Sequence, residues 1–307
     1  EASDLSGLFI DEGPVVQVRD AQGRVTIEGD ADKGVAWDGP LAVMIDRESA
    51  SASEIFAAAM QDFGRALILG ENSFGKGTVQ NLIDLDQYAR DPSVHFGQLK
   101  LTVAQFFRIN GGSTQHRGVV PDIAYPQTAW AGEDFGESAL DFALPYSEVK
   151  AADYVRSGDL SALTPLLATR HDARIAKDQE FKWWFEDLAE YQKQRDRKEM
   201  SLLESARRAE RDLNEKKRAD RKAARIAAGI DPPNQDADAS GDDGLLADER
   251  REKAADDDAE AKDKPDFLLR EGAHILADAI DLLSADRQLT ARVKSFDLHA
   301  PGATRVD

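Results

Sequence analysis

Two short segments contain the residues best suited to catalysis. The first is Ser49-Ala-Ser-Ala-Ser-Glu54, in which small residues precede a helix and present a serine. The second is Phe74-Gly-Lys-Gly-Thr-Val-Gln80, which places a lysine between two glycines. The chain has no cysteine, and no histidine separates the two segments. A nucleophilic serine needs a base, so the pair predicts a Ser-Lys hydrolase rather than a Ser-His-Asp one.

The serine segment also has a purely structural interpretation. Ser51 and Glu54 fit a capping box, in which the two side chains satisfy backbone N–H groups at the start of a helix. Ser49 and Ser53 compete for the role of nucleophile, so these residues alone leave the choice open. Chemistry would still favour a serine at a helix N-terminus, where the positive end of the dipole lies. The N–H of Ala52 would then face a developing oxyanion.

The lysine segment likewise has two interpretations. To accept a proton Lys76 must be uncharged, and apolar walls such as Phe74, Val79 and Leu82 would favour that form. Gln80 follows on the same side of a predicted strand, where an amide would hold the ammonium group without adding charge. The alternative is a surface lysine in a glycine turn.

Residues 70–77 offer a rival motif, because they nearly match the phosphate-binding pattern G-x-x-x-x-G-K-[ST]. However, the position of the Mg²⁺-binding hydroxyl is Gly77, and Thr78 comes one residue late. The residues that follow, 78–84, alternate as in a strand, whereas a phosphate loop must open a helix. Nucleotide binding is therefore the weaker interpretation.

Composition narrows the function classes. A length of 307 residues allows two domains and a sizeable core. The net charge of -19 argues against nucleic acid or an anionic membrane as the main partner. The lack of cysteine excludes disulfides and thiolate metal sites, and no apolar run approaches the roughly 20 residues of a membrane span. The chain opens on residues typical of the middle of a helix, so we expect a fragment without its N-terminal part.

The first third of the chain has the pattern of a mixed α/β fold. A helix is predicted over 51–63, with Gly64 as its stop, between two buried strands that should pair in parallel. The predicted strands cover residues 15–18, 24–27, 40–46, 66–70, 78–84 and 98–108.

From about residue 130 the sequence predicts helices only. They are expected over 138–144, 159–167 (with Pro165 limiting it), 177–228 and 267–283. The long segment 177–228 has aromatic residues at helical spacing in its first half and charges plus alanine in its second. This pattern predicts a helix that docks at one end and is solvated at the other. A basic nucleic-acid-binding helix is the alternative, which the interleaved acidic residues disfavour.

Residues 229–266 are acidic and of low complexity, so we expect a disordered loop. Its aspartates suggest calcium as an alternative function. The order Asp-x-Asp-x-Asp-Gly with a glutamate at position twelve is missing, which disfavours that interpretation.

Taken together, these motifs resemble the C-terminal processing peptidases, most closely the tail-specific protease branch. The resemblance spans essentially residues 1–125, including 13–20 and 110–122, and extends more loosely to the charged helical tail. It implies that residues 1–128 are the C-terminal portion of a crotonase-like α/β protease core. Residues 129–307 would then form an all-α domain with a long charged helix.

The resemblance also implies roles for individual residues. Ser51 would be the nucleophile, Lys76 its base, Gln80 the third member, and Ala52 the source of an oxyanion N–H. Asp62 matches an aspartate that is important in the family. About eleven helical residues at roughly 1.5 Å each put it about 16 Å from Ser51, so we interpret Asp62 as structural.

The function implied is a serine endopeptidase that cuts proteins selected by their apolar C-terminal tails. The resemblance further implies a bacterial periplasmic location and an envelope adaptor protein as a partner, with no metal, nucleotide or other cofactor. The family's second oxyanion donor and its PDZ domain lie in segments upstream of Glu1, and we expect activity to need them. The alternative is a non-catalytic scaffold or adaptor-docking fragment, in which Ser51 only caps a helix.

Overall fold

The computed structural model of the chain describes residues 1–88, 91, 95–126, 135–229 and 266–293. The chain divides into two units, one of Glu1–Ala189 with the residues from Glu271 onward, and one of Glu190–Arg270. The boundary predicted at residue 128 lies outside the described residues, as does nearly all of the acidic segment 229–266. Both therefore stay predictions.

The strands and helices of the described residues are as follows. The strands are β1 (Gly13–Asp20), β2 (Val25–Asp30), β3 (Ala42–Ile45), β4 (Leu67–Gly70), β5 (Thr78–Asp84), β6 (Gln98–Phe107) and β7 (Ile123–Ala124). The helices are α1 (Ala2–Gly7), α2 (Ala52–Phe63), α3 (Thr164–Ile175), α4 (Gln179–Asp196), α5 (Glu204–Ala227), α6 (Phe267–Ala285) and α7 (Arg287–Val293). Two short 3₁₀ turns cover Leu85–Tyr88 and Glu137–Ala139.

The strands form two sheets. One has four antiparallel strands in the order β2-β1-β6-β5, which leaves β5 at an edge. The other has three strands in the order β3-β4-β7, and both of its pairings are parallel. Helix α2 connects β3 to β4, which confirms the predicted parallel strand-helix-strand unit. The predicted fold class, an α/β core followed by helices, is confirmed as well.

Helix α2 packs the core through one apolar face. Three consecutive alanines, Ala57 to Ala59, are almost fully buried, as are Met60 and Phe63. Their small side chains let the helix approach the strand residues Ile45 and Ile68 of the same cluster. Gly64 ends the helix in the left-handed region, at φ +64°. A Cβ there would lie 2.2 Å from the carbonyl oxygen of Gly158, so the position requires glycine.

Two of the short predicted helices are wrong. Within 138–144 the structure has only the 3₁₀ turn Glu137–Ala139, and residues 143–156 have no regular structure. Their backbone is satisfied by the core instead: the N–H groups of Val149 and Ala152 donate to the carbonyls of Gly111 and Ile109. The helix predicted over 159–167 begins only at Thr164. Pro165 lies in its first turn, where a missing N–H costs nothing.

The single helix predicted over 177–228 is also wrong, because residues 197–203 separate α4 from α5. Glu210 of α5 pairs with Arg197, the first residue of this break, at 3.0 Å and with Arg207 of α5 at 2.7 Å. Phe181 is buried near the start of α4, whereas α5 has no buried residue. The expected difference between a docked and a solvated end is therefore confirmed. None of the described helices combines the length and apolar character that a membrane crossing requires.

A buried polar cluster joins α3 to α6. The Glu271 carboxylate, which is 3% exposed, faces His171 Nδ1 at 2.8 Å and accepts from Arg174 Nε at 2.8 Å. Arg174 and Arg170 also donate to Asp278, each at 2.7 Å. Burial alone would raise the pKa of Glu271, but the hydrogen bonds from His171 and Arg174 outweigh it and lower that pKa.

We therefore expect the substitution Glu271→Gln to reduce the free energy of unfolding at pH 7 by about 2 kcal/mol. Because the folded-state pKa is depressed, this stabilisation exists above the unfolded value of 4.5 and is lost as the pH falls further. Urea denaturation followed by circular dichroism at pH 7 and pH 4 measures both effects. Asp281→Asn, at an exposed position of the same helix, is the control. Equal losses of stability in the two variants would contradict the prediction.

Candidate active site

Ser51 lies at the N-cap of α2, in a strained conformation. Its φ of +60° and ψ of -111° fall in a region that side chains rarely adopt. His116 is the only other described non-glycine residue with positive φ. Such strain costs on the order of 1–3 kcal/mol and concentrates at functional sites. In α/β-hydrolases the nucleophilic serine likewise lies on a strained turn between a strand and a helix.

The three serines of the segment differ in their surroundings. The hydroxyl of Ser49 donates to Asp46 Oδ1 at 2.9 Å and lies 3.1 Å from the Asp46 N–H, so a local turn engages it. Ser53 is exposed in the first turn of α2, and its N–H donates to the carbonyl of Ala50. Ser51 alone combines partial burial with backbone strain. The geometry therefore favours Ser51 among the alternatives that the sequence left open.

Glu54 connects the serine turn to the lysine loop, which we define as residues 71–77. Its carboxylate is fully buried and accepts four hydrogen bonds. Oε2 accepts from the N–H groups of Ser51 and Lys76, at 2.8 and 3.0 Å. Oε1 accepts from Ser73 Oγ at 2.6 Å and from the N–H of Gly75 at 2.7 Å. A single carboxylate thus holds the backbones of the predicted nucleophile and base side by side.

The same carboxylate completes the predicted capping box with Ser51. Burial raises the pKa of Glu54, while the hydrogen bonds from Ser73, Ser51, Gly75 and Lys76 pull it down. A folded-state pKa above the unfolded value means that ionising Glu54 reduces stability as the pH rises. The four hydrogen bonds therefore offset only part of the cost of burying this carboxylate, and they fix the geometry of the two segments that they join.

Ala52, the predicted oxyanion donor, is the exposed first residue of α2. The N–H of Ser53 donates to Ala50, and that of Ile55 donates to Ser51. Within the described residues the N–H of Ala52 has no such acceptor. It is thus available to a ligand at the positive end of the helix.

Lys76 and Gln80 line one cleft of about 600 Å³ at the start of β5. Ala50, the neighbour of Ser51, borders the same cleft, whereas Ser51 itself does not. The amide nitrogen of Gln80 lies 3.4 Å from Thr102 Oγ1 on β6, and the described residues show no hydrogen bond between Gln80 and Lys76. The structure therefore brings the predicted base and its predicted partner to one cavity, without direct contact.

Close contact with a neighbouring backbone explains the glycine that precedes Lys76. Gly75 has φ +94°, and a Cβ there would lie 3.1 to 3.4 Å from the backbone of His116 and Arg117. The carbonyl of Lys76 accepts from Thr114 Oγ1 at 2.9 Å, and the N–H of Gly77 donates to Gln115 Oε1 at 2.8 Å. The chain continues into strand β5 and not into a helix, so the phosphate-loop interpretation is wrong.

Asp62 lies far from these groups, near the other end of α2. Its carboxylate accepts from Arg108 at 2.6 and 3.1 Å and from the amide of Asn110 at 2.8 Å. These bonds fix the turn that follows β6. The contacts support a structural role for Asp62.

Sequence reasoning missed several residues that position the site. Gln115 is fully buried and accepts from the N–H of Gly77 in the lysine loop, and Ser73 of the same loop donates to Glu54. Glu54 was identified only as a helix cap. A buried polar residue in a loop, as Gln115 is, leaves no periodic signal, because its partners are distant in sequence. No group of three or more acidic or histidine side chains in the described part of the chain is arranged to hold a metal ion.

Comparison with known proteins assigns both parts of the chain to known families. The model of peptidase family S41 matches residues 1–125, and that of the C-terminal domain of tail specific protease matches residues 131–281. The chain therefore belongs to peptidase family S41, a family of serine peptidases, and to its tail-specific protease branch.

Individual relatives show the same affiliation. The chain is 40% identical to the tail-specific protease of Haemophilus influenzae over 94% of its own length, but it spans only 39% of that relative. It is 38% identical to the carboxy-terminal-processing protease of Bartonella bacilliformis, with 46% of the chain and 32% of the relative covered. A solved photosystem II D1 C-terminal processing protease is 32% identical, covering 40% of this chain and 30% of its own, with a TM-score of 0.33.

The role of Glu54 as a connector can be tested with Glu54→Gln. Either orientation of the amide would place an NH₂ group against two hydrogen-bond donors. We expect the free energy of unfolding to fall by about 2 kcal/mol and the amide protons of Gly75 and Lys76 to exchange faster. Denaturant titration and hydrogen exchange measure these two effects. Glu48→Gln, at an exposed position of the same turn, should change neither, and an unaltered exchange rate in Glu54→Gln would refute the role.

Proposed function

We propose that the protein containing this chain is a serine endopeptidase of the Ser-Lys type. The observation that carries the proposal is the strained Ser51 at the N-terminus of α2, held to the backbone of Lys76 through Glu54. Membership of peptidase family S41 supports hydrolysis of peptide bonds. The chain spans only 39% of the length of the Haemophilus influenzae relative, so the activity is proposed for the protein that contains this chain.

In the proposed reaction, Ser51 Oγ attacks the carbonyl carbon of the scissile peptide bond while Lys76 Nζ takes its proton. The N–H of Ala52 stabilises the negative charge on the carbonyl oxygen. The intermediate collapses as the C–N bond breaks, and Lys76 returns the proton to the leaving amine. Water then attacks the acyl-enzyme, Lys76 takes a proton from it, and Ser51 Oγ regains a proton as the acid leaves. In this scheme Gln80 orients Lys76.

We further propose the setting that the family resemblance implies. Substrates would be proteins with apolar C-terminal tails, selected through a PDZ domain encoded upstream, and the location would be the bacterial periplasm. An envelope adaptor is the proposed partner. Full activity would need the upstream segment, which would supply the second oxyanion donor.

The catalytic pair is tested by Ser51→Ala and Lys76→Ala. We expect each to reduce cleavage of a peptide with an apolar C-terminal tail by at least about a thousandfold, since both act directly on the reacting atoms. The chain is assayed alone and joined to the upstream segment, with thermal unfolding as a check. Ser53→Ala and Lys150→Ala, at exposed positions outside the cleft, are the matched controls. Retained activity in Lys76→Ala would exclude a lysine base.

The orienting role of Gln80 gives a separate prediction. We expect Gln80→Ala to lower kcat about tenfold or more with little change in KM, because one hydrogen bond to a charged group is worth about 1.5–3 kcal/mol. Gln80→Glu should shift the acidic limb of the pH–rate profile upward, because a carboxylate would favour the charged lysine. Steady-state kinetics across pH measures both, and an unchanged profile in Gln80→Glu would argue against the orienting role of Gln80.

The second candidate function is a non-catalytic scaffold, favoured by one observation: the capping box gives Ser51 a structural role. A serine that only caps a helix should not react with a fluorophosphonate probe. Labelling of the wild-type chain that is lost in Ser51→Ala would exclude the scaffold. Equal labelling of the two proteins would favour the scaffold. So would a lack of labelling both in the chain alone and in the chain joined to the upstream segment.

A further inference from the structure

The cleft that contains Lys76 has a second wall, built by residues 137–144. We call this segment the strap. It supplies six of the cleft's lining residues, namely Glu137, Leu140, Asp141, Phe142, Ala143 and Leu144. The strap lies at the start of the region matched by the C-terminal domain model, beyond the end of the S41 match. One side of the cleft thus comes from each of the two matched regions.

The strap is tied to the lysine loop at its first residue. The N–H of Glu137 donates to the carbonyl of Phe74 at 3.0 Å. The preceding Gly136 has φ +99°, and a Cβ there would lie 2.8 Å from the same carbonyl. The approach of the two backbones therefore depends on glycine at this position.

A second attachment fixes both ends of the strap through Gln115. Its amide nitrogen donates to Glu137 Oε1 at 3.1 Å and to the carbonyl of Leu144 at 2.7 Å. Its amide oxygen accepts from the N–H of Gly77, directly after Lys76. His116 Nε2 also contacts the carbonyl of Leu144, at 2.7 Å. The buried side-chain amide of Gln115 therefore fixes the position of the strap relative to the lysine loop.

The strap turns apolar side chains toward solvent at the edge of the cleft. Phe142 is 97% exposed and Leu140 is 54% exposed, although both line the cavity. The acidic Glu137 is buried and bonded to Gln115, so it does not set the character of this rim. Phe74 of the lysine loop adds a further apolar surface to a lining that also contains the charged residues Asp141 and Lys100. A substrate side chain placed between them would gain most if it were apolar.

We propose that the strap is the specificity-determining wall of the peptide cleft, with Leu140 and Phe142 contacting an apolar substrate side chain and Gln115 as the positioning residue. The inference rests on the proposed peptidase function and adds to it the surface that reads the substrate near the scissile bond.

Phe142→Ala is the main test, because a nearly fully exposed side chain contributes little to folding. Two peptides are compared that differ only in having leucine or alanine at one position near the cut site. We expect the ratio of kcat/KM for the leucine peptide over the alanine peptide to fall about tenfold, because the leucine side chain loses more apolar contact area than the alanine side chain does. Leu140→Ala should act in the same direction. Val155→Ala, which is 86% exposed and outside the cleft, is the control.

The positioning role is tested by Gln115→Ala, which should lower the same ratio and also kcat, since Gly77 loses its acceptor. If this variant does not fold, His116→Gly replaces it, because glycine accepts the φ of +67° and only the contact with Leu144 is lost. We expect a smaller loss of preference with kcat retained. An unchanged ratio in a folded variant would overturn the positioning role.

A binding measurement separates failure of this inference from failure of the proposed function. A fluorescent leucine peptide is titrated into Ser51→Ala, with and without Phe142→Ala, and its anisotropy is followed. A tenfold weaker affinity supports the wall, whether or not the wild-type protein cuts. Cleavage that depends on Ser51, with preference and affinity unchanged in Phe142→Ala, would overturn the wall and leave the peptidase intact. No cleavage and no peptide binding would overturn both.

Discussion

The arrangement of the site depends on one buried carboxylate. Glu54 accepts hydrogen bonds from two segments that are separate in sequence, the turn before α2 and the lysine loop. Burying a charge costs free energy unless donors surround it, and four donors do so here. Because Oε2 bonds both segments and Oε1 bonds two further residues of the lysine loop, neither segment can move without breaking a bond to the carboxylate. The position of Ser51 relative to the backbone of Lys76 therefore depends on Glu54.

Backbone strain at Ser51 follows from the same arrangement. A residue in the left-handed region returns to an ordinary conformation unless its surroundings hold it there. The bond from its N–H to Glu54 and the start of α2 together hold this one. Helix α2 is in turn fixed by alanines against the parallel sheet and by the ion pair of Asp62 with Arg108 near its far end. The packing of α2 in the core therefore helps to hold the turn at Ser51 in its strained conformation.

Local sequence patterns predicted the parts of the fold that local physics decides. The helix after Ser51, its stop at Gly64 and the parallel strands around it follow from periodicity and turn chemistry, and the structure confirms them. The helix predicted over 138–144 is wrong: the N–H groups of Ala139, Leu140 and Ala143 bond only three residues back, as in tight turns. Gln115 and His116, from a distant loop, hold the carbonyl of Leu144. Gln115 escaped detection because its three partners are 22 to 38 residues away. The resemblance proposed roles for Ser51, Lys76 and Gln80, and the structure adds what holds two of them.

The position of the strap has a consequence for how such proteins diversify. The division between the two matched sequence regions falls between residues 125 and 131, yet the cleft takes its walls from both sides of that division. The boundary between the two matched sequence regions is thus not a boundary of the cleft. On the proposed role of the strap, exchange of the C-terminal region between relatives would carry a substrate wall with it, while Ser51 and Lys76 stayed behind. Selectivity would then change without any substitution in residues 1–125.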